Sequence, residues 1–110
     1  MSSIKDLFVY PTPNPMPKKM FYDRYVMLTD AEKFVLNDCM TSKHRIKVTM
    51  TKLSTKTTLV DKNNNHIKNL RVWDVEQMVF LGLLITDELE TDNLVYLTTV
   101  PLIEENCDGN

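Results

Sequence analysis

The chain has 110 residues, 43% of them hydrophobic and 25% charged, with a net charge of −2. That is too apolar for a disordered polymer, and long enough to bury about two thirds of its unfolded surface without a disulfide or metal staple. Two glycines are too few for the glycine-rich loops that cradle phosphate in nucleotide-binding enzymes.

Residues 1–10 lack the apolar stretch of a signal peptide. Proline recurs at positions 11, 13, 15 and 17, removing backbone donors and fixing φ, so 11–17 reads as an extended arm. Leu7–Tyr10 before it and Met20, Phe21, Tyr22, Tyr25 and Val26 after it are apolar enough to pin both ends on the domain. Thr29-Asp30-Ala31-Glu32 is a capping-box pattern that opens a helix over about 29–41. Ala31, Phe34, Val35 and Cys39 would face the core, and Lys33, Asn37 and Asp38 water. From Arg45 the period becomes two: Ile46, Val48 and Met50 point one way and Arg45, Lys47 and Thr49 the other, a half-buried strand. The threonine-rich segment 53–60 reads as a strand or an extended loop, and Asp61-Lys62-Asn63-Asn64-Asn65 as a turn.

The longest apolar run, Met78–Ile85, is far shorter than the ~20 residues needed to span a bilayer. With both faces apolar it reads as a central strand, with a buried helix as the alternative. Asp87–Asn93 then reads as a polar connection and Leu94–Val100 as a further strand, paired with the preceding run in an antiparallel hairpin and stopped by Pro101. Residues 104–110 form an acidic tail. The expected fold is α+β over 1–103: an antiparallel sheet of three to five strands, one packed helix and the extended N-terminal arm.

Charge is divided sharply along the chain. Residues 43–71 hold eight Lys and Arg against the single acid Asp61, a net of +7, whereas 72–110 hold nine acids and no Lys or Arg. The boundary falls at Arg71 and Val72. Lys43, Arg45, Lys47, Lys52 and Lys56 are therefore candidates for binding nucleic-acid phosphate or a partner protein. Asp87, Glu88, Glu90 and Asp92 are candidates for an acidic surface that docks a basic partner. The competing reading is that basic and acidic strands lie side by side and neutralise one another.

No catalytic constellation is complete. Cys39 and Cys107 lack zinc or redox spacing, and His44 and His66 are the only histidines, so neither metal nor cofactor is expected. Asp61, Asp74 and Glu76 suggest a metal-dependent nuclease, but no acid-x-Lys pair follows: Glu76 precedes Gln77 and Met78. Trp73 reads as a core-edge anchor.

Pro17-Lys18-Lys19-Met20-Phe21-Tyr22, Leu28-Thr29 opening a helix, Arg45-Ile46-Lys47-Val48 leading to Lys52-Leu53 and Thr57, and Val100-Pro101 after an apolar strand resemble a bacterial family, domain of unknown function 4391. The resemblance spans roughly residues 5–102 and corresponds to the N-terminal half of family members, which usually carry an aromatic where this chain has Val48 and Met50. It implies an accessory role in restriction or phage-defence complexes that act on DNA, and it supplies no catalytic residues. The function expected is that of a non-enzymatic, cytoplasmic interaction module whose partner is another protein or, second, nucleic acid. A winged-helix DNA-binding protein and a phage or virion structural subunit are the alternatives.

Overall fold

The computed structural model describes residues 15–91 and 93–104, with 88–91 through their backbone. Residues 11–14 of the proline arm, Cys107 and residues 105–110 of the tail lie outside them. The first described element, β1 (Met16–Pro17), runs parallel to β7 (Leu102–Ile103), and the Met16 amide donates to the Pro101 carbonyl at 2.9 Å. Pro17 lacks a donor and serves as the extended residue at the start of α1 (Lys18–Tyr25). This helix corrects the expectation of an arm flank. Its apolar residues Phe21 and Tyr25 are four apart, so they share one face and stack, with ring centroids 6.3 Å apart.

Thr29 caps α2 (Asp30–Thr41) as its sequence demands: the Glu32 amide donates to Thr29 Oγ1 at 3.2 Å, and the Thr29 amide donates to Glu32 Oε1 at 2.9 Å. The buried face, however, is Glu32, Val35, Leu36 and Cys39. Ala31 and Phe34 turn outward, because the helix is rotated by roughly one residue, about 100°, from the expected face. Lys43 then adopts φ 61°, the left-handed turn that ends the helix and reverses the chain.

The meander β2 (Arg45–Met50), β3 (Thr55–Val60) and β4 (His66–Leu70) follows, all antiparallel. The threonine-rich segment is thus a strand, and His66 opens an edge strand rather than lying in a loop. The β3–β4 turn forms because Asp61 Oδ1 accepts from the amides of Asn63 and Asn65 at 2.8 and 2.9 Å, while Asn64 takes φ 67°.

α3 (Val72–Phe80) replaces the central strand expected over 78–85 and matches its helical alternative as far as Phe80. Residues 78–80 are the last turn of a helix, and the rest of the apolar run enters β5 (Leu84–Thr91). Val75, Met78 and Val79 are buried at helical spacing. Gly82 ends the helix at φ 78°, with its amide bonded to Val79 O and the Leu83 amide to Met78 O, both at 2.9 Å. These two bonds form a Schellman stop. β5 pairs with β6 (Leu94–Thr99), so the hairpin is present, but Asp87, Glu88 and Glu90 lie in its strand rather than in a polar loop.

The sheet order is β4-β3-β2-β6-β5, so β5 is an edge strand, not a central one. Three helices, rather than one, lie among the described residues. Cross-strand partners Ile46, Leu59 and Leu97, with Val48 and Val95, pack against Val35, Leu36, Val75, Met78 and Phe21 in one core. The helices interlock: the Arg24 guanidinium donates to Leu81 O at 2.6 Å, and the Asn37 amide donates to Tyr25 Oη at 2.7 Å. No helix of the described residues is long and apolar enough to cross a membrane.

Candidate interaction surfaces

The sheet pleat sends the residues that alternate with the core to the face opposite the helices. On that outer face the register aligns Thr58, Lys47 and Tyr96 across β3, β2 and β6, with Lys56 beside Thr49. Among the described residues no helix covers this face. Strands β4, β3 and β2 contain no Asp or Glu, and Lys47, Lys52 and Lys56 form no ion pair among the described residues. Lys47 and Lys56 are diagonal neighbours, about 7–8 Å apart by sheet geometry. Lys52 projects from the turn between them, where Thr51 Oγ1 accepts from the Ser54 amide at 3.1 Å. A cleft of about 290 Å³ between β3 and β4 is lined by Thr55, Lys56, Thr57, Thr58, Asn69 and Leu70.

Arg45 has a different role. Its guanidinium lies 4.3 Å from the centroid of the buried Tyr96 ring, donates to Asn64 Oδ1, and pairs with Asp87 at 3.1 Å. Its side chain is only 16% exposed. It fastens β2 to the Asn turn and to the acidic edge instead of projecting to solvent. Lys43 sits at the far end of β2 from Lys52, about 20 Å away for a strand of this length. The structure therefore sets Lys47 and Lys56 side by side, with Lys52 at the turn end of the same hairpin and Lys43 at its opposite end. Of the acidic candidates, Asp87 is held by Arg45, Glu88 and Glu90 belong to edge strand β5, and Asp92 lies outside the described residues.

The helical side carries aromatic residues that sequence reasoning assigned elsewhere. Trp73 and Phe34 are each 61% exposed. Trp73 shares the outward stripe of α3 with Glu76 and Phe80, at three- and seven-residue spacings. Phe34 projects from α2 beneath the Lys68 ammonium, 5.2 Å from its ring centroid. The spacing Trp73, Glu76, Phe80 against Val75, Met78, Val79 was the available signal; it was obscured by the unbroken apolar letters that follow.

Between α2 and α3 lies a carboxyl pair. Burial raises the Glu32 pKa, reinforced by facing Asp74. Asp74 is held low, first by Arg71, whose Nε and Nη2 donate to its two oxygens at 3.1 Å each. Cys39 is buried and its thiol pushed up to about 12, chiefly by desolvation, which suppresses the reactive thiolate. Asp61 is held low by the amides of the turn it organises. Glu76 lies on helix α3 and Asp61 in a turn, so the strands of a nuclease-like site are not formed by them. Among the described residues no three His, Cys, Asp or Glu converge to hold a metal. Comparison with protein-family models, curated proteins and solved structures gives no match to this chain.

Proposed function

We propose that this chain is a non-enzymatic accessory module that docks on a protein partner through its helical layer, in an assembly of the DNA-processing kind that its sequence resemblance implies. The observation that carries this reading is the exposure of Trp73 and Phe34 on adjacent helices. Leaving two large aromatic rings in water forgoes their burial energy, and tryptophan is the residue type most enriched among energetic anchors of protein interfaces. The ion-paired base of α3, Arg71 with Asp74, fixes the backbone that presents Trp73.

Trp73 is the single tryptophan, so it reports on its own environment. Affinity purification from the native host with the wild-type chain and with Trp73→Ala/Phe34→Ala identifies a partner that depends on these rings. In the purified complex, Trp73 emission shifts to the blue and becomes shielded from acrylamide. A partner that the double variant retains at wild-type affinity, or a Trp73 that stays fully quenchable in the complex, overturns the reading.

A further inference from the structure

We infer that the sheet face over β2 and β3, opposite the helical layer of the described residues, binds the phosphodiester backbone of duplex nucleic acid without reading its sequence. This face is separate from the helical layer, and its charges are paired asymmetrically. Of the acids beside this face, Asp61 accepts three hydrogen bonds within its own turn and Asp87 is held by Arg45, while Glu88 stands opposite Tyr96 on the acidic edge strand. Lys47, Lys52 and Lys56 have no such partners among the described residues. Among the described residues, therefore, none of these three lysines is neutralised by an ion pair.

The chemistry of the face selects the polyanion. On the same face stand the hydroxyl of Thr49 and the side-chain amide of Asn69, donors of the kind that fix phosphate oxygens, and Thr58 Oγ1, which donates to Lys47 O. Protein-docking surfaces have an apolar or arginine-anchored centre depleted in charge, whereas nucleic-acid interfaces are polar and positive. Over β2 and β3 this face is of the second kind, since its arginine is engaged internally and Val60 and Tyr96 are buried, with the half-buried Leu94 at its β6 border. Base stacking needs an exposed ring, and the Tyr96 ring is covered by Arg45. The face is thus suited to the backbone of a duplex and not to the bases of a single strand. The acid-rich edge strand β5, two strands from β2, limits the footprint by repulsion.

The test is fluorescence anisotropy of the full chain with labelled DNA duplexes of unrelated sequence, over a series of salt concentrations. Three phosphate contacts predict a slope of log affinity on log salt of about −2.7, the same for each duplex. Lys47→Ala/Lys52→Ala/Lys56→Ala brings that slope near zero and weakens binding by about tenfold or more at low salt, with an unchanged circular dichroism spectrum. Trp73→Ala leaves both quantities as they were. Three results would overturn the inference: no binding at low salt, equal binding by the triple variant, or a single strand or poly-glutamate competing as well as duplex. None of them bears on the protein partner, whose dependence on Trp73 and Phe34 is measured separately.

Discussion

Glu32 does two things at once. Its carboxylate completes the cap of α2, and it is 3% exposed while facing the carboxyl of Asp74. A raised folded-state pKa contributes stability fully below the ordinary value of 4.5, and this contribution is lost as pH rises through the raised value. Asp74 behaves oppositely: its contribution is present above the ordinary 3.8 and is lost as pH falls. Glu32→Gln keeps an acceptor for the cap but removes the charge that faces Asp74. In urea titrations from about pH 4 to pH 8, the loss of stability with rising pH attributable to Glu32 should be absent in Glu32→Gln. Coincident profiles would show that this carboxyl does not titrate differently in the fold. Thr29→Ala, by contrast, should cost about 1 kcal/mol at every pH, because it removes the cap itself.

Among the elements, α3 depends on its stop. Gly82 at φ 78° lets the chain leave the helix and enter β5 within three residues, so that Met78 and Leu84 both reach the core. An alanine there would crowd its Cβ against the backbone. Gly82→Ala should therefore cost about 1–2 kcal/mol, read as a lower urea midpoint at unchanged slope. A neutral result would mean that the connection relaxes to another conformation. The two edge strands are protected differently: β5 carries two irregularities in its pairing with β6, and β4 one with β3. Such bulges spoil a flat template for further strands.

On the scale of the whole molecule, α3 converts the linear division of charge into a lateral one. It starts after β4 at one edge of the sheet and delivers the chain to β5 at the other, so the boundary at Arg71 and Val72 becomes a crossing of the sheet. The uncharged strand β6 lies between the basic meander and the acidic edge. Arg45 to Asp87 is the ion pair that spans it among the described contacts. If the halves neutralised one another, added salt would weaken the fold by screening attraction. With like charges grouped within each half, salt screens repulsion instead. Sodium chloride raised from about 10 to 150 mM, which shortens the Debye length from about 30 to 8 Å, should raise the melting temperature. A fall would favour mutual neutralisation.

The sequence by itself determined the features governed by neighbours in the chain. Thr29 and Glu32 cap α2 because capping is a contact across three residues. Asp61 and Asn64 make their turn for the same local reason, and alternation placed Ile46 and Val48 inward. Tertiary structure decided what depends on distant surfaces. Phe34 faces water because α2 buries Val35 and Leu36 instead, a choice of rotation that its own apolar residues leave open. Residues 78–85 divide between helix and strand because Gly82 and the core beneath it can satisfy both; apolar letters alone carry no period when every face is buried. Which lysines stand together is likewise a matter of sheet register, since charge acts through space and a sequence orders it only along a line.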